Sequence, residues 1–330
     1  SLTTVNGLRV IARRSAFSFR DSTEDYAAIR DELDVGHAVQ GTVQRDNETL
    51  RISARLIRVS DGTQLWSEIY NRELSDIFTL QDELSRAIVE QLSNALEIDL
   101  DLPLSQEALA DNAATSEAYR LLLRGREMQH NPSSQNLEEA ETVFRQALEL
   151  RPEYPEVLVG LANTLRMRAT LGELPRESSF SEALSLARQA IRLQPTLTEA
   201  HVQIGEIQHR HFWAFEEAAA SYSAALELNG GSASAHSAYS RFLSKAGEHA
   251  IAASEARIAL DLDPRSTSAA TSLIIRLIRN RELSRARQVL DEFSSRYPED
   301  VNIPWLETNW HIRNESYSDA LQWIALEELD

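Results

Sequence analysis

The chain has 330 residues, 42% of them hydrophobic and 25% charged, enough for about two domains with real cores, and no apolar run approaches the roughly 18–20 residues of a membrane span. A net charge of −18 argues against non-specific nucleic-acid binding, which needs a basic footprint. The absence of cysteine excludes disulfides, thiolate nucleophiles and Cys-ligated zinc, and leaves both a periplasmic and a cytoplasmic location open. Lys245 is the only lysine, and every other strong base is arginine. No signal or transit segment is visible, and the opening Ser1-Leu2-Thr3 lacks Met, so a piece of a longer protein is expected.

Leu8-Arg9-Val10-Ile11-Ala12 is a short β-prone run. A helix is predicted over 22–33, with Ser22 or Thr23 as N-cap and Glu24 and Asp25 in its first turn. The period then changes to two. Residues 38–44 alternate, as do 50–59, where Leu50, Ile52, Ala54, Leu56 and Ile57 carry the apolar side. Asp46-Asn47-Glu48 between them makes a hairpin. Asp61-Gly62 makes a second tight turn into a strand over 64–72, with Leu65, Ser67, Ile69 and Asn71 opposite Trp66, Glu68 and Tyr70. A long amphipathic helix follows over 77–96, its Leu80, Leu84, Ile88, Leu92 and Leu96 spaced by four. The order is β-α-β-β-β-α.

Four stretches carry a resemblance: Gly7-Leu8-Arg9-Val10-Ile11-Ala12-Arg13, Gly41-Thr42-Val43, Asp61-Gly62-Thr63-Gln64-Leu65-Trp66-Ser67-Glu68 and Phe78-Thr79-Leu80-Gln81-Asp82-Glu83. They look like the TolB-like amino-terminal domain family, over about residues 2–97 of a domain placed at 1–98. The resemblance implies an α/β module that often precedes helical repeats in bacterial regulatory proteins. It also implies a further strand and helix ahead of this segment. A truncated module would leave an unpaired sheet edge, through which a homodimer could form.

Residues 99–114, with Pro103, Ser105 and Asp111-Asn112, read as a linker. From 115 to 330 the chain repeats itself. Ala140, Ala183, Ala218, Ala252, Ala286 and Ala320 recur, the last four steps being 35, 34, 34 and 34 residues. Four residues after each come Phe144, Ala187, Tyr222, Ala256, Leu290 and Ile324. Seven after come Ala147, Ala190, Ala225 and Ala259, with Phe293 and Glu327 departing. Helix stops come twelve after, at Pro152, Pro195, Gly230, Pro264 and Pro298. Offsets of four and seven mark one face of a helix, and a second helix fits ahead of each alanine. Insertions fall between the helices of the first two units, at His130-Asn131-Pro132-Ser133-Ser134 and Gly172-Glu173-Leu174-Pro175-Arg176.

This frame resembles the tetratricopeptide repeat family, which places small residues at helix crossings and a proline after the second helix. The Trp-x-x-Leu-Gly wording of the first helix is degraded, with Ile204-Gly205 its best trace. The expected architecture is α+β multidomain: the small α/β domain, then six helical hairpins in an all-α superhelical solenoid. The last hairpin has no capping helix after it, so Trp305, Trp310 and Trp323 are either core or an exposed patch that could pair two copies.

No catalytic constellation stands out. No Gly-rich phosphate loop, His-Glu zinc motif or serine elbow is present, and nothing calls for a cofactor or metal. His209 and His211 lie two apart, so on a helix they point to different sides and read as an exposed helix end. The acid pairs Glu138-Glu139, Glu216-Glu217 and Glu327-Glu328 read as solvated helix surface. Trp213 and Phe215 read as a packed inter-helix turn, with an aromatic binding box as the alternative. An enzyme in the α/β domain would have to be built from Asp25, His37 and Glu48, which are scattered.

One pattern points to binding. Arg210, Lys245, Arg279 and Arg313 recur at 35, 34 and 34 residues, each near the end of a first helix. Equal positions in stacked repeats form a column, and in the resembled family first helices line the concave groove. Arg166 or Arg168 extends the column, and Asn163, Glu206, Arg241 and Asn309 are its groove neighbours. Such a ladder suits a protein or peptide with acidic or carboxylate groups. Equally, each cation could merely complement a helix dipole. The expected function is a non-catalytic interaction scaffold of a bacterial signalling protein. By resemblance, an effector such as an adenylate cyclase or a winged-helix DNA-binding domain would lie upstream, and the alternatives are the regulatory end of a class III adenylate cyclase or a homo-oligomerisation module.

Overall fold

The structure is a computed structural model and describes residues 5, 8–20, 26–46, 49–73, 77–96, 113–130 and 132–327. In chain order it runs α1 (Arg13–Phe17), α2 (Tyr26–Leu33), β1 (His37–Asp46), β2 (Thr49–Arg58), β3 (Thr63–Glu73) and α3 (Ile77–Leu96). Twelve further helices follow: α4 (Ala113–His130), α5 (Ser134–Leu150), α6 (Pro155–Leu171), α7 (Arg176–Leu193), α8 (Thr198–Ile207), α9 (Phe215–Leu228), α10 (Ala233–Ala246), α11 (His249–Leu262), α12 (Thr267–Arg279), α13 (Leu283–Arg296), α14 (Ile303–Arg313) and α15 (Tyr317–Glu327). Two compact units result, one comprising Ser1–Val10 and Ser22–Gly231, the other Ile11–Asp21 and Ser232–Asp330.

In the first unit, β1, β2 and β3 form an antiparallel meander in that order. The pairing slips between Leu56 and Ile57, because Leu56 pairs with Trp66 and Ile57 with Gln64. This bulge lets two successive residues of β2, Leu56 and Ile57, both be buried. Val5, Leu56, Ile88, Val89 and Leu92 make the core between sheet and α3. Gly62 holds φ +70° in the β2–β3 turn, and the Asp61 carboxylate accepts from the Thr63 amide at 2.9 Å. The β-prone run at 8–12 is not a strand. Its end is drawn off by the second unit, where the Ala12 amide donates to the Leu262 carbonyl at 2.8 Å. The proposed N-cap of α2, the first hairpin loop and most of the linker at 99–114 lie outside the described residues.

The helical pairs α4/α5, α6/α7 and α8/α9 complete the first unit, and α10/α11, α12/α13 and α14/α15 fill the second. All six frame alanines are buried, from 0 to 3% exposed. Their partners at four and seven are buried too, apart from Ile324 and Glu327, whose side chains lie outside the described residues. The aromatic one turn on has a defined use. Phe144 of α5 lies over Gly125 of its own hairpin and Gly160 of the next, where an added Cβ would stand 2.5 and 2.7 Å from the ring. Tyr222 presses on Gly205 in the same way, at 2.9 Å. The glycines thus let first helices approach the aromatic closely. Each second helix ends two residues before its Pro or Gly stop.

The second unit caps two of its first helices alike, with Ser232 and Ser266 accepting from the amides of Ala235 and Ala269 at 3.2 Å. Its core joins Ala253, Ala256, Leu273, Ile274, Leu290, Phe293 and Leu306, with Trp310 and Trp323 packed against it. Those two tryptophans are therefore core-packed, whereas Trp305 is 45% exposed. Among the described residues no helix is long and apolar enough to cross a membrane.

Candidate functional site

The first helices of neighbouring repeats meet through polar side chains, and the two units do this differently. In the first unit, Arg166 of α6 donates to Gln203 of α8 at 3.1 Å and to Asn163 at 2.7 Å. Glu206 of α8, 2% exposed, has Arg210 at 2.5 Å and Arg166 at 3.8 Å. This is a largely buried carboxylate held by two guanidinium groups, which satisfies both signs within the chain. Arg210 is therefore engaged by Glu206 and is not one of a row of solvated cations. Arg168 also falls outside any ladder, tied to Glu141 at 2.6 Å and Glu173 at 3.0 Å.

In the second unit, Arg241 of α10 donates to Ser237 at 3.2 Å, and Arg279 of α12 crosses to Ser244 of α10 at 3.1 Å. Lys245, Arg279 and Arg313 are exposed at the ends of their helices. Asn309 is spent on its own helix, donating to the Trp305 carbonyl at 2.8 Å. The sequence missed Arg276, which is 8% exposed and whose Nε has no hydrogen-bond partner among the described residues. Burial, reinforced by the charges of Arg279 and Arg241, lowers its pKa to about 10. A signal was there to find it. Three residues before each rung of the ladder stand Ile207, Phe242 and Trp310, and Arg276 breaks that apolar column.

The other cluster in this unit is structural. Glu307, 5% exposed, takes both nitrogens of Arg287 at 2.6 and 2.8 Å, and the same guanidinium lies over the Trp310 ring.

Two sequence expectations are corrected. His209 is not an exposed helix end but 2% exposed, because a π turn over Gln208–Phe212 rotates it inward. Its Nδ1 sits 3.0 Å from the Gly205 carbonyl and 3.1 Å from the Tyr222 hydroxyl. Trp213 is not packed in the turn but 73% exposed, in left-handed conformation at φ +56°. Among the described residues no group of three or more His, Asp or Glu could hold a metal, and Asp25 and Glu48 lie outside them. His37 is held below its ordinary pKa, first by burial and then by Arg58.

No protein-family profile matches the chain. A curated relative named "Putative adenylate cyclase 3", from Rhizobium meliloti (strain 1021), is 34% identical over 205 residues, which are 61% of this chain and 34% of that protein. The chain thus spans about a third of that relative's length. Among solved structures, pilF of Pseudomonas aeruginosa superposes with a TM-score of 0.50 at 18% identity, over 66% of this chain and 94% of that one. PilW, described as a widely conserved type IV pilus biogenesis factor, gives 0.53 at 16% identity, over 66% and 94%. At such identities the likeness shows the fold alone, and the helical hairpins of this chain have the tetratricopeptide-repeat fold.

Proposed function

We propose that this chain is a non-catalytic scaffold of a bacterial regulatory protein, which holds a peptide or protein against the first helices of its repeats. The observation behind this reading is the shared polar face of α10 and α12, where Lys245 and Arg279 project from neighbouring repeats. Long cations at the rim of a packed helical face suit capture of an acidic segment, with a few anchors supplying most of the binding energy. The test is display selection of peptides on the 330-residue protein, followed by binding to Lys245→Glu/Arg279→Glu. The double variant should lose the selected peptides and keep its melting temperature. Unchanged binding would remove this face from the reading, and a collapse in melting temperature would make the cations structural.

A second reading draws on the cyclase-named relative: the segment is the regulatory end of a class III adenylate cyclase, working on a catalytic domain outside it. Both readings expect no cyclic AMP from these 330 residues with MgATP. Production by the chain itself would overturn both.

A further inference from the structure

Arg276 sits where the repeat frame calls for an apolar side chain, and it carries a charge with no counter-ion. Neither Arg276 nor Arg279 has an ion pair among the described residues. Ser272, one turn earlier on the same face of α12, has a buried hydroxyl that also lacks a partner there. A buried guanidinium whose Nε–H donates to nothing is costly to keep. The first unit shows the same kind of surface completed. Glu206 lies between Arg166 and Arg210, drawn from the first helices of two adjacent repeats. One repeat further on in the sequence, the position of Glu206 is held by Arg241. Where the first unit supplies a carboxylate from within, the second supplies another cation.

We propose that Arg241, Arg276 and Arg279 form a site for the carboxylates of an acidic peptide segment of a partner protein. This rests on the scaffold reading above and names what its first-helix face recognises. The guanidinium fork matches a carboxylate bidentately. Arg276 Nε–H and the Ser272 hydroxyl supply donors that are already desolvated, so each bond is stronger than at an exposed cation. The net charge of −18 repels long polyanions. The site therefore takes one or two carboxylates flanked by neutral residues. It should also be less sensitive to salt than exposed Lys245.

The probe is a capped, fluorescein-labelled decapeptide with a central Glu-Glu pair among alanines, compared with its Gln-Gln twin by anisotropy on the full chain. The Glu-Glu peptide is expected to bind at least about tenfold tighter. Arg276→Met and Arg279→Gln are each expected to erase that difference. The melting temperature of Arg276→Met should hold or rise, since a buried uncompensated charge is gone. Arg276→Lys, which keeps charge and loses the fork, covers the case in which the Met variant does not fold, and should lose most of the preference. Equal binding of both peptides to the wild type, a preference that survives the Arg276 variants, or full displacement by millimolar inorganic phosphate overturns the assignment. If display-selected neutral peptides still bind the first-helix face, the scaffold reading survives this failure. If no peptide binds at all, the scaffold reading fails with it.

Discussion

Ser15 donates its hydroxyl to the carboxylate of Asp263 at 2.5 Å, across 248 residues of sequence. The same hydroxyl accepts from the Arg265 amide at 3.0 Å, and the Arg265 guanidinium lies 5.6 Å from the Phe19 ring centroid. Ser15 is fully buried. So α1 straps the turn between α11 and α12, and a short segment from near the start of the chain is part of the second unit. Ser15→Ala leaves the Asp263 carboxylate and the Arg265 amide without their common partner. Denaturant unfolding should show the second unit destabilised by about 1–3 kcal/mol. Ser15→Ala and Asp263→Ala together should cost less than their sum, with a coupling of about 1 kcal/mol. Additive effects would mean that the contact carries no energy.

The turns inside the later hairpins share a conformation. Trp213, Gly247, Arg281 and Glu315, 34 residues apart, all have positive φ, at 56°, 92°, 60° and 59°. Only Gly247 takes it without steric cost, since a Cβ beside a left-handed backbone is disfavoured by about 1–2 kcal/mol. Arg281→Gly and Glu315→Gly should each raise stability by up to about 1 kcal/mol, offset in part by the freer unfolded chain. Gly247→Ala should lower it by a similar amount. Calorimetry on the three variants checks the sign, and a stabilised Gly247→Ala would contradict the shared turn.

Phe144 fixes how closely α4 and α6 approach α5. Gly160→Ala places a methyl group where the ring already lies, so it should cost about 1–3 kcal/mol by overpacking. Gly160→Ala with Phe144→Leu should recover part of the loss, because the smaller side chain makes room. The same reasoning applies to Ala252→Leu in the second unit, where the alanine is fully buried. Neutral results in thermal melts would mean that the helix crossings are looser than drawn.

The repeat architecture was legible because small residues at helix crossings recur at one spacing, and Ala140 to Ala320 carry that spacing whatever the ligand. The β2–β3 meander was legible for a similar reason, through alternation and Asp61-Gly62. The strap was not. Ser15 and Asp263 are single polar residues with no periodicity, and the β-prone run before Ser15 resembles a strand until its partner is known. The candidate site was half legible. Equal spacing singled out Arg210, Lys245, Arg279 and Arg313, but spacing does not carry sign balance, and Glu206 changes the meaning of the first of them. Arg276 was overlooked because it stood in an apolar column and was taken with its neighbours. The break in the column was the informative feature.

Glu156 gives the pH test. It lies in the first turn of α6, and its pKa is raised above the ordinary 4.5, first by burial and further by Glu199, against its own backbone hydrogen bond and the pull of Arg126 and Arg151. A raised acid pKa means the folded chain holds its proton to higher pH than the unfolded chain. Stability therefore falls as pH rises from 4.5 through the folded value, and the penalty is fully present at neutral pH. Glu156→Gln should be more stable than wild type at pH 7, and that advantage should vanish by about pH 4, where both side chains are uncharged. The comparison is urea unfolding of the two proteins at each pH, reading the difference between them so that other titrating groups cancel. A variant less stable at pH 7 would show that the helix dipole and the two arginines outweigh burial at this position.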